Sequence, residues 1–309
     1  MDNKGVQNPL DLSTGRFSAN TSQESTADKV GAALRAQRFQ MLEDIARELA
    51  GDVVFPTSFD AALRLRKEMQ NPDLPTARIA QIVNVEPLVA TKLMHMANSV
   101  LYSPDGTPAR NLQAAIARLG VELVRTTALA IAMNQLVRSK DMAIFSDLTH
   151  SLWDHTIKTA AAARVLARTY TRISPDEALL AGLVHDLGAF YMVYRAAQYA
   201  ELRARPDTVR YLIMQWHESI GVTLLHALGL SEEVVDATID HDQPRAIPTT
   251  VRTLADIIYV GSILDADYFG RVQQPGDSAA VDTATARQNF AEVVPQIETD
   301  AQTMHAIFV

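Results

Sequence analysis

The sequence predicts an all-α protein built from two packed helical lobes. Hydrophobic residues make up 48% of the 309 residues, and alanine and leucine recur at helical spacing. Glycine and proline are modest in number, at 13 each, and long runs of β-branched residues are scarce. A chain of this length can bury one large core or two moderate ones. We therefore expect an N-terminal helical lobe over residues 29–140 and a second helical lobe over residues 145–270.

The composition excludes several kinds of site and disfavours several kinds of partner. The chain contains no cysteine, so disulfides, thiolate metal ligands and cysteine nucleophiles are excluded. Its net charge is −8 without a basic block, which disfavours nucleic acid and anionic membranes as partners. The N-terminal sequence lacks a signal-peptide pattern, and no run of about 18 apolar residues could span a bilayer. These features predict a soluble, cytoplasmic protein.

The helices of the first lobe are predicted from apolar periodicity and from residues that begin or end helices. Residues 1–28 are polar and lack an apolar period, so we expect a flexible tail there. Ser58 is a candidate N-cap for a helix that Asn71 and Pro72 terminate. Gly120 separates two apolar segments. The predicted helices cover residues 29–50, 59–70, 75–85, 87–98, 112–119 and 121–137.

The second lobe is expected to follow a boundary near residues 139–145. Ser174 suits the N-cap of one of its helices, and Pro175 suits the first helical position. The predicted helices cover residues 148–170, 175–190, 191–203, 212–228, 231–239 and 251–264. Residues 271–309 are expected to form a C-terminal loop followed by an amphipathic helix over 287–308 that packs on the body.

The stretch Ala181 to Phe190, AGLVHDLGAF, places His185 and Asp186 side by side within an apolar helix. Removing an ionised carboxylate from water is costly unless the group is paired, hydrogen-bonded or bound to a metal. The doublet therefore points to a functional site. The alternative is that Asp186 pairs locally and His185 is a hydrogen-bonded core histidine.

Four more polar residues lie in or beside apolar helices, namely His155, His217, His241 and Asp256. Each has a structural explanation on its own, such as a histidine that stabilises a helix C-terminus. Together with the doublet, imidazoles and carboxylates on separate helices can assemble a metal site. Such nitrogen and oxygen donors suit iron, manganese, zinc or nickel better than calcium. An ion would also offset the cost of burying the carboxylates.

Motifs in both predicted lobes recur together in one known family. In the second lobe they are Trp153-x-His155-Thr156, Glu177 followed by Ala181-Gly182-Leu183-x-His185-Asp186-Leu187-Gly188, then His217-x-x-x-Gly221 and His241. In the first lobe they are Phe55-Pro56, the stretch from Ile82 to Leu88, Met96-Ala97-Asn98-Ser99 and Ala114-Ala115-Ile116-x-x-Leu119-Gly120. Over about residues 53–264 the chain resembles the HDOD family, the HD-related output domains of bacterial signalling proteins.

The resemblance implies an HD-domain-like second lobe and a regulatory role without catalytic residues. It implies a degenerate HD-type site in which His155, His185, Asp186 and Asp256 hold one metal ion, with His217, His241 and Asp242 as ligands of a second. The expected partners are signalling proteins or a small nucleotide-like ligand. The alternative is a metal-dependent phosphohydrolase acting on a nucleotide or cyclic dinucleotide, with His185 and Asp186 at its catalytic centre.

Three departures from the catalytic HD-GYP phosphodiesterases argue against hydrolysis. Ala189 stands where those enzymes carry lysine, which removes a cation near the phosphate. His241 is followed by Asp242 rather than a second histidine, and no Gly-Tyr-Pro segment lies between Asp242 and Asp256. A further interpretation is that the histidines and aspartates form a polar core network that fixes helix register.

Overall fold

The computed structural model describes residues 32–51, 56–69, 71, 74–265 and 282–308, and every regular element within them is helical. The α-helices are α1 (Ala32–Leu49), α2 (Asp60–Glu68), α3 (Thr76–Val83), α4 (Pro87–Ala97), α5 (Leu112–Leu119), α6 (Val121–Val137), α7 (Ser146–Tyr170), α8 (Pro175–Val184), α9 (Leu187–Ala196), α10 (Ala200–Arg203), α11 (Pro206–Ala227), α12 (Glu232–Asp236), α13 (Leu254–Ile263), α14 (Thr283–Asn289) and α15 (Val294–Phe308). The all-α class is confirmed. The tail over 1–28, Phe55 and most of the loop that begins at 271 lie outside the described residues.

The corner between α5 and α6 matches its prediction to the residue. The side chain of Asn111 caps α5 by accepting from the backbone N–H of Ala114 at 2.8 Å. Gly120 between the helices has a φ of 80°, a conformation that glycine adopts without steric cost. Helix α6 is buried on nearly all sides because α2, α4, α5, α7, α8 and α9 surround it. It therefore forms the centre of the N-terminal half.

The predicted N-cap of α2 and the predicted C-terminal helix are both wrong. A 3-10 turn, Thr57–Phe59, precedes α2. The hydroxyl of Ser58 does not cap that helix and is buried without a hydrogen-bond partner in the described part of the chain. The single helix predicted over 287–308 is two helices, α14 and α15, since the chain turns between Asn289 and Val294. This turn lets α14 contact α13 while α15 packs along α7.

Helix α1 packs on α9, α10 and α11, although the sequence placed it in the N-terminal lobe. Its Glu48 accepts hydrogen bonds from the hydroxyl of Tyr191 and the guanidinium of Arg195, each at 2.7 Å. Its Asp44 accepts one from the hydroxyl of Tyr199 at 2.5 Å. These polar contacts fix the position of α1 on the second half of the chain. The predicted boundary near 139–145 is a 3-10 helix, Lys140–Phe145, and the division into two lobes stays a prediction.

Helix α7 is the centre of the second half and packs against α8, α13 and α15. Helix α8 begins as predicted, with the side chain of Ser174 accepting from the N–H of Glu177 and with Pro175 in the first turn. It approaches α7 so closely that a Cβ on Gly182 would lie 2.6 Å from the Cα of Ala160. Small residues at this crossing therefore set the distance between the two helices. No helix in the described part of the chain is both long and apolar enough to span a bilayer.

A buried ion pair anchors α15. Arg164 on α7 donates to the carboxylate of Asp300 at 3.1 Å, and both residues are buried. We expect Asp300→Ala to destabilise the protein by about 3–5 kcal/mol, because it leaves the guanidinium buried without its partner. Urea unfolding measures this, with Asp207→Ala in the exposed pair with Arg210 as a control that should change little. Equal losses in the two variants would contradict the assignment.

Candidate metal centre

His185 and Asp186 lie in the turn between α8 and α9, not inside one helix as the sequence predicted. Helix α8 ends at Val184 and α9 begins at Leu187. The chain changes direction because α8 packs on α7 whereas α9 packs on α11. The turn brings the Asp186 side chain to a point that α7, α11 and the segment after α12 also reach. The doublet is thus at the junction of several elements.

Four imidazoles surround the carboxylate of Asp186. Their Nε2 atoms lie 4.0 Å (His155) and 3.4 Å (His185) from Oδ2, and 3.7 Å (His217) and 3.3 Å (His241) from Oδ1. All five residues are buried, and Asp186 is only 4% exposed. The structure therefore gathers five of the seven residues that the sequence singled out as metal ligands.

The opposite ring nitrogen of each histidine has a partner that fixes the ring. The Nδ1 atoms of His185, His217 and His241 each lie 2.8 Å from a backbone carbonyl, those of Gly182, Ile213 and Thr238 respectively. A carbonyl only accepts, so Nδ1 is the donor and Nε2 carries the lone pair in the neutral ring. Metal-binding histidines are oriented in the same way. The backbone thus directs three Nε2 atoms toward Asp186.

His155 is oriented by a side chain rather than a carbonyl. Its Nδ1 lies 3.2 Å from Oδ2 of Asp265, a residue that the sequence analysis missed. The other oxygen, Oδ1, accepts from the ammonium of Lys158 at 2.9 Å. Burial alone would raise the pKa of Asp265, but the hydrogen bonds and charges of His155 and Lys158 lower it to about 2. Asp265 is therefore an ionised acceptor that leaves Nε2 of His155 facing the centre.

The electrostatics of the cluster favour a cation. Burial is the main reason that the pKa of His185 falls to about 3, and nearby His241 and His155 add to this effect while Asp186 opposes it. Burial would raise the pKa of Asp186, yet interactions with His185, His241 and His217 hold it well below its usual range. Burial also opposes the charge on His241, but the hydrogen bond and charge of Asp186, with that of Asp242, raise its pKa to about 9. A bound metal ion would replace the proton on His241.

The donors fit a transition-metal ion. Two groups have ligand atoms that all lie within 4.8 Å of one another, one made of His155, His185 and Asp186 and the other of Asp186, His217 and His241. Nε2 of His185 is buried without a hydrogen-bond partner among the described residues, which is costly unless something else binds its lone pair. Imidazole and carboxylate donors suit zinc, iron, manganese or nickel. Asp186 belongs to both groups and could be a metal ligand in each.

The structure does not bring Asp256 into this cluster, which corrects the predicted ligand set. Asp256 is the N3 residue of a capping box at the start of α13, where it accepts from the backbone N–H groups of Arg252 and Thr253. The spacing Thr253-x-x-Asp256 is itself a capping-box pattern and would have indicated this role. Asp242 lies at the edge of the cluster, with Oδ2 3.7 Å from Nε2 of His217.

The sequence signal for a role of Asp265 at the metal centre is weak, because it is only an acid that directly follows an apolar helix. If it orients His155, Asp265→Asn should weaken binding of Mn²⁺ or Zn²⁺ by about 10–100-fold. Asp256→Asn should leave metal affinity unchanged and cost about 1 kcal/mol of stability through its helix cap. Calorimetric titration of both variants makes the comparison. A larger loss of metal affinity in Asp256→Asn than in Asp265→Asn would restore the prediction that Asp256 is a metal ligand.

Comparison with known proteins gives the family. The model of the HDOD domain matches residues 55–244, which is more than half of the chain. The match contains His155, His185, Asp186, His217 and His241 but ends before α13, and so before Asp265. No curated protein matches the sequence.

Solved structures share the fold at low sequence identity. A protein from Shewanella amazonensis SB2B, provisionally named a metal-dependent phosphohydrolase, aligns with a TM-score of 0.70 and 21% identity over 89% of this chain and 100% of its own. An HDOD domain protein of unknown function from Geobacter sulfurreducens aligns with a TM-score of 0.56 and 19% identity over 88% and 99%. At these identities the likeness concerns the fold alone. The match of the HDOD domain model over more than half of the chain shows that the chain belongs to the HDOD domain family.

Proposed function

We propose that this protein is a non-enzymatic regulatory module that binds a divalent transition metal at its His/Asp centre and acts by binding a signalling partner or a small ligand. The observation that supports this best is the geometry of Asp186, a buried carboxylate surrounded by four imidazole Nε2 atoms. An ion held there would cross-link α7, the turn between α8 and α9, α11 and the segment after α12. Binding that favours the folded state in this way stabilises one arrangement of these elements.

The surroundings of the centre support binding without turnover. A phosphoryl substrate would have to reach residues that are at most 6% exposed. Ala189, at the position where the related phosphodiesterases carry lysine, is buried and uncharged. Next to it, a Cβ on Gly188 would lie 1.9 Å from the carbonyl oxygen of His217, so α9 already presses against α11. Electrostatic stabilisation of developing charge is usually the largest catalytic contribution. Ala189 and Gly188 carry no charge and supply none.

The second candidate function is a metal-dependent phosphohydrolase. The two metal-competent groups that share Asp186 favour it, as does the name given to the Shewanella amazonensis protein. A bound ion can polarise a phosphoryl oxygen and lower the pKa of a bound water to about 7. In that case His155, His185, His217 and His241 would hold the ions, and Asp186 would lie between them.

Elemental analysis after expression in metal-supplemented medium tests the metal centre. We expect about one ion per chain or more in the wild type, and a large loss in His185→Ala, since one of the converging donors is removed. His226→Ala is the control, because His226 is half exposed and pairs with Glu232, which lies outside the cluster. Less than about a tenth of an ion per wild-type chain would reject the metal centre in both candidate functions.

A hydrolysis assay distinguishes the regulatory module from the phosphohydrolase. The wild type, loaded with manganese or iron, should not hydrolyse cyclic di-GMP or bis(p-nitrophenyl) phosphate above the rate with metal alone. Sustained hydrolysis that is proportional to protein and absent in His185→Ala would establish the phosphohydrolase instead.

Partner binding tests the regulatory role. Val85 and Leu88, at the corner between α3 and α4, are 65% and 43% exposed, which makes them candidates for a contact surface. A signalling partner recovered by affinity capture should still bind His185→Ala and should be lost in Val85→Asp/Leu88→Asp. Loss of the partner only on metal removal would instead indicate a metal-gated contact.

A further inference from the structure

A cleft of about 520 Å³ lies between α7, α13 and α15, with α14 at one end. This volume is typical of small-molecule sites, which measure about 300–1,000 Å³. Its walls are largely apolar, formed by Ile157, Leu264, Val294 and Ile297, with the small residues Ala162, Gly261 and Ala301 between them. Helices α13, α14 and α15 follow the family match, which ends at residue 244. Three of the four helices that form the cleft therefore lie beyond the family match, whereas α7 lies within it.

Within the part of the chain that the structure describes, the charged residues of the cleft are paired except for two. Lys158 donates to Asp265 at 2.9 Å, and His305 lies 3.4 Å from Asp154. Arg287 uses Nε to donate to the carbonyl of Leu264 at 3.3 Å, and its other N–H groups have no partner among the described residues. The carboxylate of Glu298 likewise has no partner in the described part of the chain. Among the described residues, one cation and one anion of the cleft thus lack a charged partner.

We propose that this cleft binds a zwitterionic small molecule with an apolar body, of the chemical class of the larger amino acids. The planar guanidinium of Arg287 suits a carboxylate, to which it can donate two parallel hydrogen bonds. Glu298 suits an ammonium group, and the apolar walls accommodate a large side chain. A ligand with a single charge would leave one of these two residues without a partner.

Asp265 connects the cleft with the His/Asp centre. One of its oxygens accepts from Lys158 in the cleft wall, and the other lies against Nδ1 of His155. A ligand that contacts Lys158 would alter the partner of the carboxylate that orients His155. Occupancy of the cleft should therefore change metal affinity, and by linkage metal should change ligand affinity by the same factor. This link rests on the proposed metal centre, whereas the binding site itself does not.

Calorimetric titration of the metal-free full chain tests the site. The probes are L-tryptophan, indole-3-propionate, which lacks the ammonium group, and tryptamine, which lacks the carboxylate. L-tryptophan should bind at least about tenfold more tightly than either analogue, because each analogue loses a charged hydrogen bond. Equal binding of the three probes, or no binding of L-tryptophan, L-leucine and L-methionine alike, would overturn the proposal.

Substitutions test which charged residue of the cleft binds which charged group of the ligand. In Arg287→Met, L-tryptophan should no longer bind more tightly than tryptamine, which lacks the carboxylate. In Glu298→Gln, L-tryptophan should no longer bind more tightly than indole-3-propionate, which lacks the ammonium group. Ala306→Phe, at an exposed wall position, should block all three probes, whereas Arg210→Met on α11 should change nothing. Binding that survives Ala306→Phe would place the ligand elsewhere and overturn the proposal.

Titration in the presence of Mn²⁺ tests the link between the cleft and the His/Asp centre separately from ligand binding in the cleft. The affinity for L-tryptophan should shift at least about threefold on saturation with Mn²⁺, and the shift should disappear in Lys158→Met. An unchanged affinity in a protein that binds Mn²⁺ would refute the link. A protein that takes up no Mn²⁺ but binds L-tryptophan would contradict the proposed metal centre and leave the ligand site intact.

Discussion

Gly188→Ala should destabilise the protein by more than about 3 kcal/mol, because the added methyl group has no space. A Cβ at this position would lie 1.9 Å from the carbonyl oxygen of His217 and 2.6 Å from the backbone nitrogen of Gly221. Both atoms belong to the backbone of α11, so no rotation of a side chain can relieve the overlap. Helix α9 would have to move away from α11, which would also displace His217 from Asp186. Urea unfolding and metal content measure the two effects.

Gly221→Ala is the matched control on the opposite side of the same contact. A Cβ there meets Gly188 at 3.5 Å or more, which is ordinary van der Waals contact. Helix propensity favours alanine over glycine by about 1 kcal/mol, so this variant should be neutral or more stable. Propensity alone predicts the same gain for Gly188→Ala, since Gly188 is also helical. A stable Gly188→Ala protein would therefore show that the two helices are less tightly packed than described.

Asp186→Asn should lower the affinity for Mn²⁺ or Zn²⁺ by more than about 100-fold. The change keeps the size of the side chain but removes the only negative charge among the five converging residues, and Asp186 contributes to both groups of ligands. The charge that raises the pKa of His241 would also be lost. Calorimetric titration with each metal measures the loss.

Asp236→Asn, on the exposed surface of α12, is the control for this change and should bind metal as the wild type does. Far-ultraviolet circular dichroism should show that both variants keep their helices. Wild-type metal affinity in Asp186→Asn would mean that the buried carboxylate has a structural role only, as in the polar network that the sequence also allowed.

The helices themselves could be predicted from local sequence. Helices α5 and α6 were located to the residue because the glycine at 120 and the apolar periodicity act within a few positions along the chain. Ser174 and Pro175 defined the start of α8 in the same way. The prediction failed where packing outweighed local preference. The apolar stretch 175–190 reads as one helix, yet α8 and α9 pack on different partners and therefore separate at His185 and Asp186.

The sequence by itself determined the helical class, the residue types of the site and five members of the cluster, because spacing along the chain and family motifs carry that information. Only the tertiary structure showed that Asp265, nine positions after Asp256, is the acid that contacts the cluster. Asp256 satisfies backbone N–H groups at the start of α13, whereas Asp265, just beyond its end, meets His155 across more than a hundred residues. Contacts between elements depend on how helices cross, and the crossing at Gly188 is set by backbone atoms that no local pattern reveals.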